Sequence, residues 1–544
     1  MTTRDDALER LRRSDAAGRA GIAGTPLGRE LDAAGIRFAA VGGRLEERWH
    51  RAVTELSGCI AEGLDGRPVL REGGGYSGTW LESTGTISAD VLGRFAPEIA
   101  RATLIQFAEH QRDDGLLPYK VTADGPAFSQ IQIVTPLARV VWRHHLRTGR
   151  DAAFLRAMYD AMVRYDAWIT RYRDTRGTGA VEAFCTFDTG HDLSPRFWFA
   201  PERAFRGDAR YCDPQHPLLP YIAPDLTANI ACQRAYLALI ADELNEPSEP
   251  WREGARLMLE ALWTQCFDAD DGLFYDRDAR GDAVRIASDV LLRVLACEVG
   301  DGDFFTSSLR RYLLNTTKFL AHYGFTSIAM DDPRFDHDAS RNSWGGPVNF
   351  LALLRAPDAF EHHGHIAELA SASAPVLAAL TASDRFPQCL DPWSGDAGFA
   401  SGYSPSMLWL LDALERWSGI LPHDDGTIRF SGAVPTRLTL HAAASAIASA
   451  RTIAGHHWEL AGDDDRVDVY RDGDLAFSFP RGWRVIAEEA GHPIEVVGLA
   501  AVAVAGELRI GGETVIDLEV APNERVRLSD SARAGVPFVT PVFG

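Results

Sequence analysis

The chain has 544 residues, 46 % apolar and 24 % charged, with 55 basic side chains against 76 acidic ones and a formal net charge of −21. That composition excludes a disordered chain, and the acidic balance argues against a general nucleic-acid binder or a protein held on an anionic membrane, because both need a basic footprint. The opening Met1-Thr2-Thr3-Arg4-Asp5-Asp6 has no apolar core, and seven scattered cysteines form no Cys-x-x-Cys pair, so reduced thiols in a cytoplasmic protein are expected.

Residues 1–43 read as a helical lead-in. Residues 44–62 carry Leu45, Trp49, Val53, Leu56 and Ile60 at helical spacing, and the glycine-rich stretch from Glu72 to Gly78 breaks the pattern. Helical patterns follow at 89–111, 131–148, 152–172, 226–244, 251–266, 287–299, 304–315, 348–356, 366–382 and 405–417. Long loops lie between them at 112–128, 174–221, 268–284, 321–347 and 383–404. Antiparallel helices joined in this way can close into a double ring, with the long loops gathered at one end to build a pocket. An open solenoid would need a fixed-period repeat, and none is visible. After Leu421 the pattern changes to short alternating or β-branched runs at 436–441, 466–470, 475–479, 484–488, 494–504, 507–510, 514–519 and 525–528. Residues 421–544 therefore predict a small antiparallel, sandwich-like β domain.

The segment richest in chemistry is Phe184-Cys185-Thr186-Phe187-Asp188-Thr189-Gly190-His191-Asp192-Leu193-Ser194-Pro195-Arg196-Phe197. It sets two carboxylates, a histidine and an arginine among aromatic residues. Aromatic rings stack on the apolar faces of a sugar, while carboxylates bond hydroxyls and supply acid or base. The competing reading is a polar surface loop capped by Asp188 and Asp192. A second segment runs from Gly74 through Tyr76, Trp80 and Glu82 to Ser83. It lacks the Gly-Lys-Ser/Thr of a phosphate loop and suits a sugar-stacking wall, unless Trp80 is simply core.

These residues carry a resemblance. Asp188-Thr189-Gly190-His191-Asp192-Leu193-Ser194-Pro195-Arg196 resembles the Glu-Ser-Gly-x-Asp-x-Ser-Pro-Arg motif of the inverting α-glycosidases of glycoside hydrolase families 63 and 37, which include processing α-glucosidases, mannosylglycerate and glucosylglycerate hydrolases, and trehalases. Further matches follow in the family's order over about residues 44–420. The Gly74–Ser83 loop is similar to Gly-Gly-x-(Phe/Tyr)…Trp-Asp-Ser, with Glu82 at the aspartate. Phe128-Ser129-Gln130 is similar to a Ser-Gln-Pro-Pro helix start. The Trp168 to Asp174 stretch, Asp225-Leu226-Thr227-Ala228-Asn229, Asp271-Gly272-Leu273-Phe274-Tyr275-Asp276 and Ser343-Trp344-Gly345-Gly346-Pro347-Val348-Asn349-Phe350 have counterparts in turn.

The resemblance implies a mainly α fold, an (α/α)6 toroid over 44–420, with no cofactor. It implies Asp192 as the general acid, its pKa raised by burial and by Asp188. The family's base glutamate falls at Gln388, and an amide cannot take a proton from water. Counting by the trehalase pattern instead gives Asp396 as base, with Asp391 second. Tyr76, Trp80, Glu82, Gln130, Asp188, Arg196, Trp344 and Gln388 are expected to shape the pocket. Gly345 replaces a family arginine, for which Arg341 or Arg196 could substitute. The expected activity is inverting hydrolysis of a small α-linked gluco- or manno-configured glycoside, with the acidic field disfavouring an anionic aglycone unless local arginines reverse it. The alternatives are a sugar-binding descendant without hydrolysis, favoured by Gln388, and an epimerase- or lyase-like enzyme using His191. No metal is expected: Glu361-His362-His363-Gly364-His365 lacks His-Glu-x-x-His spacing, the Asp268 to Gly272 run is a residue short of a calcium loop, and Asp463-Asp464-Asp465 reads as a solvated turn.

Overall fold

The computed structural model describes residues 2–436, 444–511 and 514–543. Among these are fifteen α-helices, all before residue 420, followed by antiparallel strands. Ala152–Tyr172 and Ile366–Ala382 match their sequence patterns end to end. Asp151 caps the first of these by accepting the N–H groups of Ala153 and Phe154. Others are cut by local chemistry. The pattern at 131–148 becomes a helix only over Leu137–Arg147, because Pro136 forces the preceding residue into extended backbone. The pattern at 89–111 splits into Ala89–Leu92 and Pro97–Glu109, the second starting on a proline whose missing N–H is not needed there.

The helices pack in succession. Ala89–Leu92 lies on Leu137–Arg147, which lies on Pro224–Glu243, then Val290–Leu295, Phe350–His362 and Ser404–Ser418 follow, and the last returns to Ala89–Leu92 and to Leu45–Cys59. Pro224–Glu243 is buried on nearly every side, whereas Glu249–Cys266, packed against it, buries only Met258, Ala261, Leu262 and Cys266. The first has the composition of an inner helix and the second of an outer one.

Two antiparallel sheets follow. The six-stranded one runs, in spatial order, Ile420–Pro422, Thr427–Ser431, Trp483–Glu488, Pro493–Gly498, Arg525–Arg527 and Arg533–Ala534. The seven-stranded one begins with Arg37–Val41, registered Arg37 to Ala450 and Val41 to Ala446 against Ala446–Ile453. The helix Thr3–Arg12 packs on the same strand, so the lead-in is built into this sheet. Phe430 of one sheet meets Trp458 and Phe477 of the other at ring separations of 5.3 and 5.1 Å. The expected run at 494–504 divides into two strands, Pro493–Gly498 and Val504–Ile510, one in each sheet. The pattern read at 436–441 falls outside the described residues from 437 on. Ala446–Ile453 and His456–Gly462 escape the sequence reading because alanine is a weak strand former. All seven cysteines are free, and among the described residues no helix is long and apolar enough to cross a membrane.

Candidate active site

Loops between the helices converge on a cavity of about 100 Å³. Glu72, Tyr76, Trp80 and Glu82 come from the glycine-rich loop, Asp192 from the Asp188–Arg196 motif, and Asn342 and Gln388 from later loops. The glycines are there for backbone approach. Gly73 has φ +74, and a Cβ on it would stand 2.3 Å from the carbonyl oxygen of Gly402. Gly190 has φ +66, and its Cβ would stand 2.1 Å from Glu82 Oε2, so the loop that carries Asp192 closes over Glu82 only because residue 190 has no side chain.

A polar chain runs through the cavity. The Tyr76 hydroxyl donates to Gln388 Oε1 at 2.7 Å, Gln388 Nε2 donates to Asn342 Oδ1 at 2.9 Å, and Asn342 Nδ2 donates to Asp192 Oδ2. One oxygen of Asp192 is thus engaged as an acceptor, leaving the other to carry a proton. Burial, then the negative charge of Glu82, push the Asp192 carboxyl up to about 7, against the pull of Asn342. Glu72, buried and bonded by Ser83 Oγ and the Tyr403 hydroxyl, is also pushed up to about 7, mainly by loss of water. Glu82 is ion-paired with the buried Arg355.

The residues expected at the site fall into two groups. Tyr76, Trp80, Glu82, Gln130, Asp192 and Gln388 line the cavity together. Asp188, Arg196 and Trp344 do not; they form the frame behind it. Asp188 is wholly buried and its carboxylate accepts from Arg173 and from the N–H groups of Ile131 and Phe184. Its charge is absorbed there, so the neighbour that raises Asp192 is Glu82. Arg196 is buried between Asp225 and Asp276. Trp344 is packed under Arg293, 4.7 Å from its ring, and beside His191. Asp396, expected as the base, is exposed on the turn that follows Asp391 and is not among the residues that line the cavity. Asp391 is turned to His337 and to the N–H groups of Trp393 and Ser394. Arg341 is largely exposed among Asp336 and Asp338, so it does not replace the family arginine.

His191 is no free base. Arg196 can only donate, so His191 Nδ1, 2.7 Å away, accepts and the proton rides on Nε2, which faces Asp289 Oδ1 at 2.8 Å. Burial, with Arg293 adding to it, lowers its pKa to about 3. The sequence reading missed Glu72, Tyr119, Lys120, Gln132, Phe187, Arg203 and Asn342 as lining residues. Asn342 adjoins the Ser343-Trp344 motif and could have been found from it; Lys120 and Arg203 carry no sequence signal. Lys120 stands over the Trp80 ring at 4.7 Å, and neither cation pairs with a carboxylate among the described residues. No group of three or more His, Cys, Asp or Glu side chains is placed to hold a metal among the described residues.

Residues 76–406 match the mannosylglycerate hydrolase MGH1-like glycoside hydrolase domain. In structure the chain is similar to the GH63 mannosylglycerate hydrolase of Thermus thermophilus in complex with Tris, at 20 % identity and a TM-score of 0.56, over 66 % of this chain and 98 % of that one. The same enzyme has been solved with Tris and D-glycerate, and matches at 20 % identity and a TM-score of 0.56, over 68 % of this chain and 99 % of that one. The neutral trehalase of Saccharomyces cerevisiae matches at 14 % identity and a TM-score of 0.51, over 64 % of this chain and 73 % of that one. No curated protein matches in sequence.

Proposed function

Because the chain belongs to the mannosylglycerate hydrolase MGH1-like glycoside hydrolases, we propose that it hydrolyses a small α-linked gluco- or manno-configured glycoside with an anionic aglycone, by inversion. The observation that carries this reading is Asp192: a buried carboxyl in the cavity, pushed up to about 7 and so still partly protonated near neutral pH, with one oxygen pinned by Asn342. Asp192 gives its proton to the glycosidic oxygen as the bond from the anomeric carbon breaks. In the reacting form Asp192 holds its proton and Glu72, also pushed up to about 7, has lost its own; water forms the new bond from the opposite ring face and passes its proton to Glu72, a cavity carboxylate with no cationic partner among the described residues. The products are a sugar of inverted anomeric configuration and the free aglycone alcohol. Gln388 and Tyr76 hold sugar hydroxyls, and Trp80 supplies the stacking wall. The unpaired Lys120 and Arg203 favour a carboxylate on the aglycone, in keeping with the D-glycerate bound by the similar Thermus enzyme. The helix succession that returns on itself is read as an (α/α)6 toroid over 44–420, preceded by a lead-in over 1–43 and followed by a β domain over 421–544, and the protein as cytoplasmic, since its cysteines are all free.

The test is released-sugar detection on α-mannosyl- and α-glucosylglycerate, α-glucosides, α-mannosides and trehalose, with the first-formed anomer followed by proton NMR. Asp192→Asn is expected to remove hydrolysis while retaining sugar binding, and Glu72→Gln to lower kcat by about two orders of magnitude or more. Full activity in Asp192→Asn, or a retained α-anomer as first product, would refute the mechanism. Loss in Asp396→Ala with Glu72→Gln unaffected would return the base to the exposed turn.

A further inference from the structure

A second cavity, of about 410 Å³, lies where the helices Leu137–Arg147, Phe350–His362 and Ser404–Ser418 meet the six-stranded sheet. That is within the range of small-molecule sites, about 300–1,000 Å³. Its lining holds eight arginines and five carboxylates, along with apolar side chains such as Leu354, Ile486 and Val497. The imbalance is concentrated at one end. Glu361 is shared by Arg416, Arg429 and Arg484. Arg416 also takes Asp412, which is shared with Arg94, and Arg94 shares Glu415 with Arg451. Five guanidiniums therefore rest on three carboxylates. Asp425 bonds His423 and Thr427 and adds its charge opposite Arg429, and Asp424 is held by Arg143 and Arg147.

The surplus is not solvated away. Arg484 is 2 % exposed at its side chain, and burial lowers its pKa to about 10; Arg429 and Arg451 are lowered for the same reason. Arg429 Nε and Arg355 Nη1 are buried donors with no hydrogen-bond partner among the described residues. Arg355 lines this cavity while its other nitrogens bond Glu82 and Thr135. Buried donors without acceptors, and three guanidiniums that share the single carboxylate of Glu361, are both relieved by one kind of ligand, an oxyanion, and guanidiniums match tetrahedral oxyanions in geometry as well as charge. We propose that this cavity is a binding site for a small phosphate-bearing molecule, with the phosphate held by Arg416, Arg429 and Arg484 and the remainder lying along the apolar wall toward Arg355.

The full chain is titrated with inorganic phosphate, with glucose 6-phosphate and with glucose, at ionic strength matched by sodium chloride, and binding is read by calorimetry and by Tm. Saturable binding of phosphate or glucose 6-phosphate with a raised Tm is expected, and none from chloride. An affinity for glucose 6-phosphate about tenfold or more above that for inorganic phosphate assigns the site to phosphorylated sugars; equal affinities assign it to free phosphate. Arg429→Met is expected to weaken binding about tenfold or more. Arg525→Gln, on a half-exposed side chain at the same cavity whose own partner is Glu495, should weaken binding in the same direction while leaving the pairs on Glu361 in place. No phosphate binding beyond the chloride control, or unchanged affinity in both variants, would overturn the proposal.

Discussion

At Asp192 the residue scale decides the chemistry. Its surroundings oppose one another: burial and Glu82 hold the proton on, and the Asn342 amide favours the ionised form. Removing Asn342 therefore leaves only raising influences. In Asn342→Leu the carboxyl should hold its proton above the present value of about 7, and the alkaline limb of the kcat/KM profile should move to higher pH by about one pH unit. A pH titration of the variant checks this; a loss of rate with the limb unmoved would mean that Asn342 acts only by packing. Gln388 belongs to the same chain of bonds. The amide at the expected base position is bonded on both ends, to Tyr76 and Asn342, so it supports the side chain that holds Asp192.

The element that holds Asp192 in place is the loop from Phe184 to Phe197. Its motif residues divide by the side of the backbone they face. Asp192 faces the cavity, while Asp188 and Arg196 face inward, each onto buried ions of opposite charge. Burying such charges is tolerable only while the partners stay, and removal of one partner from a buried pair costs about 3–5 kcal/mol. Arg173→Met, which strands the Asp188 carboxylate, is expected to lower unfolding free energy in urea by about that amount. A change below about 1 kcal/mol would show that water or the two backbone N–H groups already carry the charge.

Over the whole molecule, the first residues of the chain and the later β-strands are one structure. Arg37–Val41 closes the edge of the seven-stranded sheet, and Arg4 pairs with Asp468 of that sheet and with Asp463 in the turn before its strand. Deleting residues 2–41 would expose the ladder of Ala446–Ile453, and uncovered edges template aggregation. The expected result is a lower Tm together with concentration-dependent light scattering. An unchanged, monodisperse protein would make the lead-in an appendage. The −21 charge belongs to this scale too: it coexists with a cavity where arginines outnumber carboxylates, so net charge sets the far field and not the chemistry of any one pocket.

The sequence by itself determined the helical character, the later β region, the family and the loop that brings Asp192 to the cavity, because periodicity and motif order are local in the chain. Ala152–Tyr172 and Asp192 were legible in that way. The tertiary structure alone decided which motif residues line the cavity. Asp188, Arg196 and Trp344 have the right chemistry for a sugar site, but they are spent on Arg173, on Asp225 and Asp276, and on Arg293. Lys120, Arg203 and Glu72 reach the pocket from loops with no motif of their own. Residue type is written locally, whereas the partner that neutralises a buried charge arrives from tens or hundreds of residues away, and that partner settles whether a carboxylate is scaffold or acid.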